Sequence, residues 1–217
     1  MRLQDKAERL ARETFLGGPV KDFERVGRLQ LITLLRTGLY PQSKVLDIGC
    51  GCLRGGYWLI HFLAPGHYCG IEPNRAMLEA GLRHLLEPEV LRTKQPRFTH
   101  DASFAASTFG ETFDFFLARS IWTHASKQQI AQMLDSFVLS STKEAVFLTS
   151  YLRARWPILP DYTGSEWVGK SHESSRRGLV FHRLGWIRAE CHRRGLRVTE
   201  LKEERYNGQT WLTITKT

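Results

Sequence analysis

Cysteine is scarce: Cys50, Cys52, Cys69 and Cys191 are the only four in 217 residues, too few and too unevenly placed for a disulfide framework. That excludes the small disulfide-stapled scaffolds and fits a reducing, cytoplasmic location. Long apolar runs are also missing. None approaches the roughly 18 residues of a membrane-spanning helix, so no membrane span is expected. The opening Met1-Arg2-Leu3-Gln4-Asp5-Lys6 is charged from its second residue and lacks the apolar centre of a signal peptide. Internal repeats and low-complexity tracts are absent as well. What remains is ordinary for a soluble globular chain, 42% hydrophobic and 24% charged, which suffices to bury a core and excludes global disorder. At roughly 100–200 residues per domain, a single domain over 1–217 is expected, with a helical cap at 1–40 and an insertion at 152–180.

Acidic side chains are the scarcer charge, 22 Asp plus Glu against 31 Lys plus Arg, for a net charge of +9. The excess is uneven. Residues 1–150 carry 18 basic and 15 acidic groups, whereas residues 151–217 carry 13 and 7. A basic last third favours an anionic partner: nucleic acid, an acidic membrane surface, or a phosphorylated or carboxylated substrate. A solvated arginine-rich surface is the plainer alternative.

Strands and helices alternate along most of the chain. Two helical stretches within 1–40 are interrupted by Gly17-Gly18-Pro19. The second, 21–37, spaces Phe23, Val26, Leu29, Ile32 (or Leu31), Leu34 and Leu35 as one buried helical face. Residues 44–48 form a short apolar run suited to a strand buried on both faces. A glycine-rich turn, 49–56, leads into a helix at 57–63. A second strand at 67–71 precedes a helix over 75–87 that Pro88 should end. A weak strand at 98–100, a strong one at 112–118, a helix at 127–140 and a strand at 145–149 follow. Residues 152–180 lack periodicity and read as a lid. A helix at 181–194 and a terminal antiparallel pair, 196–201 with 210–215, complete the chain. The expected fold is α/β: a Rossmann-like, seven-stranded, mostly parallel sheet with helices on both faces.

The chemistry is concentrated in Val45-Leu46-Asp47-Ile48-Gly49-Cys50-Gly51-Cys52-Leu53-Arg54-Gly55-Gly56. Glycines after a first strand let backbone approach a ligand, and the next helix presents free N–H groups and a positive dipole end. A dinucleotide fingerprint needs G-x-G-x-x-G. Arg54 stands where its third glycine should be, so the pattern is G-x-G-x-x-x-G. Glu72 closes strand two, where a carboxylate can accept hydrogen bonds from both ribose hydroxyls of a nucleoside.

Asp47-Ile48-Gly49-Cys50-Gly51 followed by a strand ending in Glu72 resembles the class I S-adenosylmethionine (SAM)-dependent methyltransferases. Phe23-Glu24-Arg25-Val26-Gly27-Arg28-Leu29-Gln30, Leu53-Arg54-Gly55-Gly56, and Phe113-Asp114-Phe115 through Ala118-Arg119-Ser120-Ile121-Trp122-Thr123-His124 are similar to a bacterial branch of small, single-domain members. The resemblance implies SAM as cofactor. It places Gly49, Cys50 and Gly51 against the methionine part, Asp47 on the loop or the amino group, Glu72 on the ribose and Pro73 on the adenine. It further implies Asp101 and Ala102 at the adenine edge, Arg119 beside the sulfonium through its backbone, and Arg28 and Arg54 as partners of the SAM carboxylate.

His124 follows strand four, where a neutral imidazole suits a general base and equally suits a structural hydrogen bond at the helix start. Tyr151, Trp156, Glu166, Trp167 and His172, with His182, are the candidates for the acceptor pocket. Cys50 and Cys52 fall short of a four-ligand metal set, so no metal is expected. Trp122, Phe115 and Phe116 read as core. Ala118-Arg119-Ser120-Ile121 differs from the Asn/Asp-Pro-Pro-aromatic box of nucleobase amino-methylases, and no carboxylate cluster of the catechol type accompanies Asp114 or Asp135. The leading expectation is methyl transfer to O or N of a small, anionic or polar metabolite. An RNA methyltransferase, suggested by the charge, is the less favoured alternative, and a catalytically idle SAM-fold partner subunit is the third. The sequence leaves the oligomeric state open.

Overall fold

A computed structural model describes residues 2–169, 178–201 and 207–217. By backbone contacts the chain divides into two units, Met1–Asp101 and Ala102–Thr217. The first runs α1 (Leu3–Leu10), a 3-10 turn (Val20–Asp22), α2 (Phe23–Arg36), β1 (Val45–Ile48), α3 (Gly56–Phe62), β2 (Tyr68–Ile71), α4 (Arg75–Leu85), α5 (Pro88–Lys94) and β3 (Arg97–Thr99). All four residues of β1 and of β2 are buried, which is why neither strand shows the alternation of a half-wet one. They pair in parallel from Val45 with Tyr68 to Ile48 with Ile71, and β2 pairs in parallel with β3.

The second unit holds a 3-10 turn (Ala106–Phe109), β4 (Phe113–Ala118), α6 (Lys127–Ser140), β5 (Ser141–Tyr151), α7 (Leu184–His192), β6 (Leu196–Glu200) and β7 (Thr210–Lys216). Strands β4 and β5 are parallel, while β7 runs antiparallel to both β5 and β6. The order of the seven strands is β3-β2-β1-β4-β5-β7-β6, the expected Rossmann-like, mostly parallel α/β sheet with a terminal antiparallel pair. Edge-to-face aromatics fill the core of this unit: Phe116 meets Phe137 at 5.1 Å and Trp122 meets Phe147 at 5.8 Å between ring centroids. A capping box starts α6: the Ser126 hydroxyl accepts the Gln129 N–H and the Gln129 side chain accepts the Ser126 N–H. Among the described residues, no helix is long and apolar enough to cross a membrane.

Several expectations need correction. Pro88 opens a helix instead of only closing one. It is at the first helical position of α5, where its missing N–H has no intrahelical partner to lose. The buried face of α2 is Phe23, Val26, Gly27, Leu29, Gln30, Thr33 and Leu34, whereas Ile32 and Leu35 are exposed. Helix α7 begins at Leu184 and not at 181, because the His182 backbone is committed to Leu152 and Ala154. Strand β5 is eleven residues long, more than twice the expected stretch.

Two helical glycines separate close approach from simple flexibility. A Cβ on Gly81 in α4 would lie 2.5–2.9 Å from the backbone of Cys52, whereas one on Gly185 in α7 would meet nothing within 4 Å. Gly81→Ala should therefore lower stability by more than about 1 kcal/mol through overpacking. Gly185→Ala should raise it by about 0.5–1 kcal/mol, the usual helical gain. Thermal unfolding of both variants checks the opposite signs.

Candidate functional site

In the first unit the glycine-rich turn is closed by hydrogen bonds to the end of β2. The N–H groups of Gly49 and Cys50 both donate to the Ile71 carbonyl, at 2.8 and 3.1 Å. Gly49 and Gly51 have φ of 70° and 57°, in the left-handed region where glycine is not strained. Glu72 is 2% exposed. Its Oε2 accepts the Gly51 N–H at 2.8 Å and its Oε1 the Asn74 N–H at 2.9 Å. Each carboxylate oxygen retains a further lone pair, so Glu72 braces the turn and still has acceptor capacity. Burial raises its pKa above the ordinary glutamate value, opposed by the two backbone N–H groups.

Asp47 is 3% exposed and accepts the Tyr68 hydroxyl at 2.8 Å. Burial pushes its pKa up to about 7; the Tyr68 hydrogen bond opposes the shift and the nearby Glu72 charge adds to it. Cys50 is buried, with its thiol pKa pushed well up by burial and by both carboxylates. Pro73 is half-buried beside Glu72, and Asp101 is half-buried after β3.

The two arginines assigned to the SAM carboxylate have other contacts. Arg28 is exposed on α2 and pairs with Glu24 at 3.7 Å. The Arg54 guanidinium donates to the Leu16 carbonyl and lies 5.6 Å from the Phe23 ring centroid, so it anchors the segment before α2.

In the second unit Arg119 is 9% exposed and follows β4. Its guanidinium donates to the Ser150 hydroxyl at 2.8 Å, to Ser120 at 3.2 Å and to the Gln209 side-chain oxygen, and stacks 4.8 Å from the Trp211 ring centroid. Ser150 also donates to Gln209 at 2.8 Å and accepts the Ser120 N–H at 2.9 Å. Ser120, Ser150 and Gln209 come from three chain segments, and no local pattern in the sequence groups them with Arg119.

His124 packs against the insertion. Its Nδ1 hydrogen-bonds the Val168 carbonyl; an acceptor-only partner requires the proton on Nδ1. The ring stacks on Trp167 with centroids 5.6 Å apart. The His124 carbonyl accepts the Val168 N–H, and the Thr123 carbonyl accepts the Val180 N–H. Burial holds the imidazole pKa below its ordinary value, opposed by the backbone of Val168 and Gly178.

The acceptor candidates are spread out. Tyr151 is fully buried and donates to Glu200 at 2.8 Å. Trp167 is buried, Trp156 is 78% exposed, and Glu166 and Ala102 are exposed. His182 is fully buried with Nε2 3.1 Å from the Ala125 carbonyl, and burial lowers its pKa to about 4. His172 lies outside the described residues. Among the described residues no group of three or more His, Cys, Asp or Glu could hold a metal ion.

Neither a protein-family model nor a curated protein sequence matches the chain. Solved structures share its fold. Magnesium protoporphyrin IX methyltransferase (ChlM) from Synechocystis PCC 6803, with bound SAM, superposes with a TM-score of 0.64 at 17% identity, over 98% of this chain and 90% of that one. The sugar N-methyltransferase KedS8 from Streptoalloteichus sp ATCC 53650 gives 0.63 at 14% identity, over 91% and 89%. DesVI from Streptomyces venezuelae gives 0.65 at 12% identity, over 100% and 99%. The chain thus has the class I SAM-dependent methyltransferase fold.

The raised pKa of Asp47 has a signed consequence. Its carboxyl moves from an ordinary 3.8 to about 7 on folding, so the folded protein holds the proton more tightly. The associated stability is fully present below about pH 4 and is lost as pH rises toward 7. Asp47→Asn keeps an acceptor for Tyr68 and removes the titration. Its melting temperature should fall less than the parent's between about pH 4 and pH 8; parallel melting curves would refute the assignment.

Proposed function

We propose that residues 1–217 act as one cytoplasmic SAM-dependent methyltransferase domain that methylates an oxygen or nitrogen of a small, anionic or polar metabolite. The observation that carries this reading is the pair of buried carboxylates at the glycine turn, Asp47 and Glu72, whose pKa values are both raised. A dinucleotide would bring a diphosphate against them, adding negative charge where negative charge is already costly. SAM brings a sulfonium and an ammonium, so it relieves that cost. When bound, SAM supplies an electrophilic methyl group, and the protein has chiefly to align the acceptor and exclude water.

The roles follow from what each group offers. Glu72 accepts the ribose hydroxyls with the lone pairs left by Gly51 and Asn74. Ionised Asp47 attracts the ammonium group, Gly49, Cys50 and Gly51 present backbone to the methionine part, and Pro73 packs on the adenine with Asp101 and Ala102 at its edge. The reading does not draw on Arg28 or Arg54, whose guanidiniums contact Glu24 and Leu16. Arg119 contributes backbone, since its side chain is engaged by Ser150 and Gln209.

Calorimetric titration tests the cofactor. SAM should bind and NAD should not, and Glu72→Ala should weaken SAM roughly tenfold or more, the worth of charge-assisted hydrogen bonds, in a variant whose melting curve shows it folded. Tight NAD binding without SAM binding, or SAM affinity untouched by Glu72→Ala, would sink the reading.

His124 is read as a positioning residue that fastens the insertion through Val168, not as the base. His124→Asn retains a donor for the Val168 carbonyl. With a methylated acceptor in hand, it should lose less than about tenfold in turnover, and His124→Ala should lose more. Loss of a general base would cost both variants alike, by about 10²–10⁴.

A further inference from the structure

Beyond β5 the chain turns back on itself. Arg155 and Leu159 exchange two backbone hydrogen bonds of 2.7 Å each, closing a turn whose Trp156 and Ile158 are 78% and 84% exposed. The His182 backbone fastens this stretch by donating to the Leu152 carbonyl and accepting the Ala154 N–H, at 2.9 and 3.0 Å. Between this stretch, Phe181 and the start of β7 lies a cleft of about 520 Å³. That volume is within the roughly 300–1,000 Å³ of small-molecule sites.

Its lining combines two chemistries. Leu152, Leu159 and Phe181 supply apolar wall; Arg153, Arg155 and Thr210 supply cations and a hydroxyl. The two arginines are not equivalent. Arg153 pairs with Glu200, which also accepts the Tyr151 hydroxyl, so its charge is compensated and its position fixed. Arg155 is exposed and makes no ion pair with any described residue. A cation without an ion-pair partner among the described residues, set beside an apolar wall, suits a ligand with an anionic group at one end and an apolar or aromatic body at the other. A nucleic-acid backbone would need a row of cations and would leave the wall unfilled.

We propose that this cleft is a binding site for an amphiphilic anion, a small carboxylate, sulfonate or phosphate ester on an apolar body, with Arg155 on the anionic group.

The test uses the full chain and two dyes, anionic 1-anilinonaphthalene-8-sulfonate and neutral N-phenyl-1-naphthylamine, followed by fluorescence, with SAM titrated calorimetrically into the same samples. The anionic dye should bind more tightly than the neutral one. Arg155→Glu should weaken it by about fivefold or more, Leu159→Asp should weaken it too, and neither should alter SAM affinity. Anionic-dye affinity unchanged in Arg155→Glu, or equal affinity for both dyes, would overturn the cleft while leaving SAM binding intact. Arg155-dependent dye binding in a protein that fails to bind SAM would overturn the methyltransferase reading and leave the anion-selective cleft standing.

Discussion

The Glu72 carboxylate accepts the N–H of Gly51 on one side and of Asn74 on the other, so a single buried side chain joins the turn after β1 to the start of α4. The Asn74 side chain in turn caps α4 by accepting the Met77 N–H at 3.0 Å. Gly81, two turns along that helix, approaches the Cys52 backbone so closely that no side chain fits. The turn is therefore held from three directions: by the Ile71 carbonyl, by Glu72 and by the face of α4. A loop held in this way presents its backbone to a ligand without first paying an ordering cost.

The bracing has an electrostatic price that defines the ligand. A carboxylate that serves as a brace must be buried, and Asp47 is buried in β1 just before the turn, hydrogen-bonded to a neutral phenol. Neither carboxylate forms an ion pair with a described residue. Burial raises the pKa of both carboxylates and the Glu72 charge adds to the rise at Asp47, a cost that a cationic ligand relieves. The same buried carboxylates that hold the turn favour a cationic ligand there over a diphosphate.

Legibility in the sequence followed the range of the interactions. Strand β1, the glycine turn and Glu72 could be read because their signals are local: a doubly buried strand is mostly apolar, and a left-handed backbone favours glycine. Pro88 was ambiguous because proline suits both the position after a helix and the first position of one, and only the next turn of chain decides. Ile32 and Leu35 fit a helical stripe, yet the stripe that is buried is set by what packs against α2; Gln30 lies within it, its amide against the space a Gly55 side chain would occupy. Arg54 and His124 were legible as residues near the chemistry but not as anchors. Their partners, the Leu16 and Val168 carbonyls, are backbone atoms 38 and 44 residues away, and a backbone carbonyl leaves no trace in composition.

The basic excess past residue 150 changes meaning once pairing is counted. Arg193 and Arg194 share Glu190, Arg194 also holds Asp135, and Arg153 holds Glu200. These arginines stitch α7, α6 and the strand ends together, and paired charges at a surface add little field beyond their neighbours. Net charge counts every arginine equally; a ligand meets only those without a partner. Arg155, on a backbone-clamped turn beside apolar wall, makes no ion pair with a described residue, so the position of a cation relative to its partners says more about this face than the sum of thirteen.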